Sequence, residues 1–321
     1  MGMHTLFKNI KFLMKNKLYK QTNDDLEIFL QMFSQKHDLF LISPYSIGET
    51  TCIASCLMEW KKIHNKDITV FVKSELTERL LQIYKELNVI KVSTDVFNKL
   101  ILKKIDCINY VDNIYDGDFK EKNMYSLIKK SMNLPLSFPH NKCCLEDRYI
   151  QNANKILDNL GLDPNKTILC IPFANCLGNT VVSKKFWKQF CEEAFRKGYN
   201  VIFNSDTPIV PEVPYCFLSF SDVLALSSIC NKIISVRTGL IDFIAANSLN
   251  NNIYVIYPDD TNEIWNNHPQ IFVNLKKCFI IDDTKSLVDN YIESASLKMF
   301  NSNVIEYKND SEDKIIEDIL N

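Results

Sequence analysis

The sequence has 321 residues, of which 46% are hydrophobic and 24% are charged, and its formal net charge is −2. The length is about twice that of a typical domain, and the composition is that of a globular protein, so we expect two domains that each have a core. The near-neutral charge does not favour a nucleic-acid partner. The sequence has no run of about 18 apolar residues, so no membrane span is predicted.

The first twenty residues contain five lysines and no acid, and apolar residues recur among them at roughly helical spacing. Residues 5–20 are therefore interpreted as an amphipathic helix that docks on the body with solvated lysines. The alternative is a weak peripheral contact with anionic lipid. No continuous apolar core follows the basic residues, so we do not expect a signal peptide.

The first half of the chain alternates strand-like and helical patterns. Continuous apolar runs at 38–43 and 67–73 predict buried parallel strands, and the runs 88–93 and 106–111 look like two more. Helices are predicted at 49–63 and 75–87. Residues 120–150 are interpreted as a helix and a loop that leads out of the domain.

The second half restarts the pattern after a helix that ends at Gly161. Strands are predicted at 167–173, 199–205, 215–220, 232–236 and 252–257. Helices are predicted at 183–197, 222–230 and 240–248 and at the acidic C-terminus. Strands that alternate with helices indicate parallel sheets. We therefore predict an α/β protein of two Rossmann-like domains facing a cleft, at residues 1–155 and 156–321.

Glycine is scarce, with seven in the chain, so each glycine is expected to meet a backbone requirement. Gly161 and Gly198 end helical stretches, as C-terminal caps do. Gly48, Gly178 and Gly239 each follow a strand-like run and precede a helical one. Because α/β sheets bind ligands at such strand-to-helix turns, these three glycines are expected to border one cleft.

Glu49 is the candidate catalytic residue. Ser46 and Glu49 have the spacing of a capping box, in which Ser46 caps a helix and Glu49 is its third residue. The same carboxylate would also face the cleft from the end of the first strand. The two interpretations are compatible, since a helix N-terminus stabilises the ionised form that accepts a proton.

The segment 233–243 is the candidate anion site. A strand ends, Arg237 and Thr238 follow, and Gly239 opens a helix whose free N–H groups suit a phosphate. Arg237 adds a fork of donors. The alternative is that Arg237 forms a surface or interdomain ion pair and Gly239 only makes a tight turn.

A second strand-to-helix loop, at 174–187, adds Asn175 and Lys185 to the predicted site. Lys184 or Lys185 could reach the same diphosphate, and either could equally be a solvated lysine on the first turn of a helix. A lysine in that turn opposes the helix dipole, which favours a functional reason.

No metal site is predicted. Asp116-Gly117-Asp118 has the form of a DxD metal motif but is turn-like in composition, and the five histidines lack ligand spacing. The eleven cysteines include no CxxC pair. Most lie in apolar runs, where cysteine behaves as a small hydrophobic residue, so neither zinc nor disulfides are expected.

Several of these segments together resemble the ADP-heptose:lipopolysaccharide heptosyltransferase family of glycosyltransferases, which have the GT-B fold. Ile47-Gly48-Glu49 is similar to the glycine-acid pair of that family, and Ser235 to Asp242 is similar to its S-N-D-T-G-x-x-H segment. Lys185-Phe186-Trp187 resembles its K-x-W. Further similar points are Ile171-Pro172, the helix-to-strand step at 197–201, and Tyr257-Pro258.

The chain departs from the family pattern at four positions. Val236-Arg237 stands where the family has Asn-Asp, Asp242 stands where it has His, and Glu49 replaces the usual Asp. The change at Arg237 places a cation in the donor site that the resemblance implies. It argues against ADP-heptose as the donor but suits a diphosphate leaving group.

The resemblance implies a metal-independent glycosyltransferase of bacterial surface-glycan assembly, of the lipopolysaccharide or capsule type. It would act in the cytoplasm or at the inner face of the membrane. The substrates would be a nucleotide-diphosphate sugar, bound by Arg237, Thr238, Gly239, Lys185, Asp242 and Asn175, and a glycan or glycolipid hydroxyl that Glu49 deprotonates. No other cofactor is expected. The alternatives are a sugar-nucleotide epimerase of the same architecture and a catalytically silent assembly partner that binds nucleotide sugars.

Overall fold

The computed structural model describes residues 23–43, 46–111, 120–136, 140–174, 182–250, 252–258, 276–295 and 297–321. The predicted basic helix at 5–20, Asp116 to Asp118, Asn175 and Gly178 lie outside these ranges. Among the described residues, no helix is long and apolar enough to cross a membrane.

The first domain contains a four-stranded parallel sheet of strand order β3-β2-β1-β4. Serine side chains cap three of its helices, since Ser46, Ser74 and Ser93 each accept a hydrogen bond from the backbone N–H three residues ahead. Its elements are α1 (Asn23–Ser34), β1 (His37–Ile42), α2 (Ile47–His64), β2 (Asp67–Val72), α3 (Glu75–Leu81), β3 (Leu87–Lys91), α4 (Thr94–Lys103), β4 (Ile108–Val111) and α5 (Met124–Ser131).

The second domain contains a six-stranded parallel sheet of order β10-β9-β8-β5-β6-β7. The order reverses between β5 and β8, which is where doubly wound sheets open a ligand crevice. Its elements are α6 (Asp147–Asn159), β5 (Thr167–Ile171), α7 (Lys184–Arg196), β6 (Asn200–Asn204), β7 (Tyr215–Cys216), α8 (Phe220–Ile229), β8 (Lys232–Val236), α9 (Gly239–Asn247), β9 (Ile253–Ile256), α10 (Leu287–Ser294), α11 (Leu297–Phe300), β10 (Ile305–Tyr307) and α12 (Glu312–Leu320).

The predicted fold is confirmed, and several element boundaries differ. The helix predicted at 75–87 ends at Leu81, because the chain turns there and buries Tyr84 before β3. The strand predicted at 215–220 has only two residues, since Ser219 caps α8 at Phe220. Gly161 and Gly198 have φ of +67° and +82°, as expected of glycines that end helices.

Helix α6 connects the two domains. It packs on α8, where the Asn152 Nδ2 donates to the Asp222 Oδ1 at 3.1 Å. The boundary predicted between residues 155 and 156 falls inside this continuous helix, so that exact division stays a prediction. Near its C-terminus the chain returns to the first domain, where Phe279 forms a β-bridge with Glu121 and Phe300 packs on the Tyr125 ring.

Helices α2 and α9 pack against each other across the domain interface. At the C-terminal end of α9, the Asn247 side chain joins both domains, because its Nδ2 donates to the Tyr84 hydroxyl (3.0 Å) and its Oδ1 accepts from the Cys143 N–H (2.8 Å). The Lys142 Nζ donates to the Ser248 carbonyl at 3.1 Å. This packing holds the N-terminal ends of α2 and α9 together at the cleft.

Candidate functional site

A cavity of about 1170 Å³ lies between the domains, at the carboxyl ends of strands from both sheets. Helix α2 begins just after β1 and helix α9 just after β8, so the positive ends of two helix dipoles border the same space. Gly48 and Gly239 both line the cavity, as predicted for these two glycines.

The two helix starts come into close contact through these glycines. A Cβ added to Gly239 would lie 2.8 Å from the Gly48 backbone nitrogen and 3.1 Å from the Ile47 Cβ. A Cβ added to Gly48 would overlap the Asp242 Oδ2. Neither Gly48 nor Gly239 has a positive φ. Glycine is therefore favoured at these two positions by the close approach of the helices and not by the backbone conformation.

Glu49 lines the cavity in the first turn of α2 and is partly buried. The Ser46 Oγ accepts a hydrogen bond from the Glu49 backbone N–H at 3.1 Å, which is the first half of the predicted capping box. Glu49 therefore lies at the wall of the cavity, in the first turn of a helix that begins there.

Arg237 also lines the cavity, and it forms a buried ion pair. Its Nη1 donates to the Asp242 Oδ2 at 2.9 Å and to the Thr238 carbonyl at 2.8 Å. Arg237 is only 9% exposed and Asp242 only 5%. Arg237 thus forms an ion pair, but the pair is buried and lies within the second domain, whereas the alternative was a surface or interdomain pair.

Burial lowers the pKa of Arg237, but Asp242, Tyr291 and Tyr257 raise it more, so it lies above its ordinary value. Burial also raises the pKa of Asp242, and the neighbouring guanidinium offsets only part of that rise. In the described part of the chain, the Arg237 Nε and the Asp242 Oδ1 have no hydrogen-bond partner. Both of these atoms are buried, so the ion pair carries one donor and one acceptor that no other protein group satisfies there.

Helix α9 begins without a side-chain cap among the described residues, because the Thr238 hydroxyl accepts no hydrogen bond from the helix. Thr238 and Gly239 both line the cavity. The first N–H groups of a helix have no partner within the helix, and an anion satisfies them well. The start of α9 is therefore suited to a phosphate group.

The strand ends of β6 and β7 form a further part of the cavity that the sequence patterns did not single out. Asp206 follows β6, and Phe217 follows β7 with 77% of its surface exposed. The strand-end rule applied to Gly48 and Gly239 could have found both residues. Arg79 and Tyr149 also line the cavity. They lie on helices α3 and α6, so no local pattern could have placed them there.

The predicted cations of the 174–187 loop lie elsewhere. Lys184 and Lys185 occupy the first turn of α7, both are exposed, and neither lines the cavity. Asn175 belongs to the part of the chain outside the described ranges. Within those ranges, no three His, Cys, Asp or Glu side chains cluster as metal ligands do.

Comparison with known proteins gives fold-level likeness only. No protein-family model and no curated protein matches the sequence. The glycosyl transferase family 9 structure from Veillonella parvula matches with a TM-score of 0.59 and 12% identity, covering 89% of this chain and 97% of that chain.

Two E. coli structures also match. ADP-heptose lps heptosyltransferase II has a TM-score of 0.56 and 10% identity, covering 88% of this chain and 98% of its own. Heptosyltransferase WaaC with ADP has a TM-score of 0.53 and 12% identity, covering 88% and 99%. The chain therefore has the GT-B fold of family 9 glycosyltransferases, as the sequence resemblance implied.

Proposed function

We propose that this protein is a glycosyltransferase that moves a sugar from a nucleotide-diphosphate donor to a hydroxyl acceptor. The observation that carries the proposal is the meeting of two helix N-termini at one cleft. One of them presents the Glu49 carboxylate and the other presents uncapped N–H groups. The GT-B fold, shared with known glycosyltransferases, supports the same conclusion.

The second domain would bind the donor. Its diphosphate would receive hydrogen bonds from the first N–H groups of α9 and from the Arg237 guanidinium, since Arg237 lines the cavity. The nucleoside would extend along the ends of β6 and β7. There the exposed Phe217 ring offers a stacking surface for a base, and the Asp206 carboxylate offers an acceptor for ribose hydroxyls.

The first domain would bind the acceptor. The Glu49 carboxylate would take the proton of the acceptor hydroxyl while the acceptor oxygen forms a bond to the anomeric carbon. The bond from that carbon to the phosphate oxygen would break, and its electron pair would leave with the diphosphate. The α9 N-terminus and Arg237 would stabilise the developing charge, so that no metal would be required.

The proposed setting is the assembly of bacterial surface glycan, of the lipopolysaccharide or capsule type, on the cytoplasmic side of the inner membrane. The acceptor would be a glycan or glycolipid. The basic segment 5–20 would add a weak contact with anionic lipid. Vesicle sedimentation with and without this segment tests that contact separately from catalysis.

The test is release of nucleoside diphosphate from a panel of nucleotide sugars, in the presence and absence of acceptor glycans and of a chelator. A transferase releases the diphosphate faster when an acceptor is present. We expect the chelator to leave this rate unchanged. A change of the sugar without an acceptor would indicate the epimerase alternative. Binding with no turnover on any acceptor would indicate a silent partner.

A further inference from the structure

Asp242 lies where the two halves of the proposed site meet. It belongs to the first turns of α9 in the second domain, and its Oδ2 accepts a hydrogen bond from the Arg237 Nη1 at 2.9 Å. The same oxygen occupies the space over Gly48, which belongs to α2 in the first domain. One buried carboxylate therefore contacts the donor-side cation and the helix that carries Glu49.

The contact with Gly48 depends on shape. The three atoms nearest to an added Gly48 Cβ all belong to Asp242, namely its Oδ2, Cγ and Cβ. No backbone atom is among them, so the space available to residue 48 is set by the side chain of residue 242. By contrast, the space at Gly239 is limited first by the backbone nitrogen of Gly48.

The contact with Arg237 depends on charge. Arg237 is only 9% exposed, and removing the counter-ion of a buried cation is strongly destabilising. The Arg237 Nη1 donates to the Asp242 Oδ2 and to the Thr238 carbonyl, and these two bonds restrict the position of the guanidinium. The buried Nε has no hydrogen-bond partner in the described structure. Tyr291 packs near the same group, with the Arg237 Cζ 6.0 Å from its ring centroid.

We propose that Asp242 is a positioning residue that fixes the position of the donor side of the cleft relative to its acceptor side. It does not bind the donor itself. It holds Arg237 towards the anion site and, through its contact with Gly48, it fixes the first turn of α2 and hence Glu49. The catalytic consequence rests on the proposed transferase function, whereas the interdomain contact does not.

The test is a double-mutant cycle on the full chain with Gly48→Ala, Asp242→Ala and the combined variant. In the wild-type background, Gly48→Ala should lower the melting temperature by several degrees and kcat by roughly 10- to 100-fold, because small displacements in an active site are costly. The donor KM should stay within a few-fold of wild type. In the Asp242→Ala background, the same change should have almost no further effect.

Asp242→Asn separates shape from charge, since asparagine keeps the volume that meets Gly48. Gly48→Ala should therefore remain harmful in the Asp242→Asn background. Asp242→Asn alone should lower kcat, because a neutral amide oxygen accepts from the Arg237 Nη1 but holds the guanidinium less firmly than a carboxylate does. Asp313→Asn, on an exposed acid in the first turn of α12, is the matched control and should change neither quantity.

Additive effects of Gly48→Ala and Asp242→Ala on the melting temperature would overturn the interdomain contact. An Asp242→Asn variant with a wild-type kcat would overturn the positioning role. If wild-type protein transfers no sugar, the proposed function fails, and the melting-temperature cycle still decides the contact.

Discussion

Glu49 is the residue on which the proposed chemistry depends most directly. Glu49→Gln keeps the backbone N–H that the Ser46 Oγ caps at 3.1 Å, but it removes the proton acceptor. We expect turnover to fall by roughly 10²- to 10⁴-fold, with donor binding nearly unchanged. Steady-state kinetics and calorimetry on the folded variant measure the two effects. Turnover within a few-fold of wild type would leave Glu49 with a capping role only.

Arg237 requires a test that allows for its ion pair. Arg237→Ala alone would strand the buried Asp242 carboxylate, so the change is made together with Asp242→Asn. Relative to Asp242→Asn alone, we expect nucleoside diphosphate to bind roughly 10- to 150-fold more weakly, from the loss of a charged hydrogen bond. Arg237→Lys should recover part of this loss, because lysine keeps the charge but not the fork.

Bare nucleoside provides the control for Arg237, since it lacks the phosphate that the guanidinium would contact. Titration calorimetry with both ligands decides the matter. If diphosphate and nucleoside weaken equally, or if neither does, Arg237 serves the structure alone, and the donor phosphates bind elsewhere.

At the scale of elements, helices α2 and α5 are joined by an ion pair inside the first domain. The Lys129 Nζ lies 2.9 Å from the Glu59 Oε2, and each side chain is 1% exposed. Lys129→Met should cost about 3–5 kcal/mol, because it leaves Glu59 charged and buried. Adding Glu59→Gln should recover most of that loss. Denaturant unfolding measures both values.

The neighbouring lysine offers a matched control for this prediction. The Lys130 Nζ lies 2.8 Å from the Glu121 Oε1, but its side chain is 46% exposed. An exposed pair contributes at most about 1 kcal/mol, so Lys130→Met should cost little. Equal losses for the two lysine variants would contradict the importance of burial for the Glu59 pair.

At the scale of the whole molecule, His140 links the domains. It lies 3.1 Å from the Ala246 carbonyl of α9, and its ring packs on Phe300. Burial lowers the pKa of His140, and the nearby Lys142 lowers it further. Below about pH 6.5, His140 therefore binds a proton more readily in the unfolded chain than in the folded protein. The free energy of unfolding consequently falls as the pH drops.

His140→Gln should remove this share of the pH dependence while keeping a donor for the Ala246 carbonyl. We expect the free energy of unfolding to fall less steeply between pH 7 and pH 5, by up to about 1.4 kcal/mol per pH unit for one proton. His37, whose pKa burial also lowers, should leave part of the slope. A slope identical to wild type would show that His140 titrates normally.

The order of strands and helices was readable from the sequence because continuous apolar runs and serine caps are local signals. β1, β5 and β8 are such runs, and the Ser46 and Ser183 caps mark helix starts. The sequence patterns missed strand β10 and helices α1, α4, α10 and α11. The β7 strand was overextended because the exposed Phe217 looks like a strand residue in sequence.

Local sequence determined that Gly48, Glu49, Arg237 and Gly239 follow strand ends, since the strand-to-helix turn is encoded within a few residues. Only the tertiary structure decided that Asp242 and Arg237 pair with each other and that Asp242 lies over Gly48. It also removed Lys185 from the cavity lining. The physical reason is that these contacts depend on how α2 and α9 pack across two domains. The two helices are far apart in the chain, so no local sequence pattern encodes that packing.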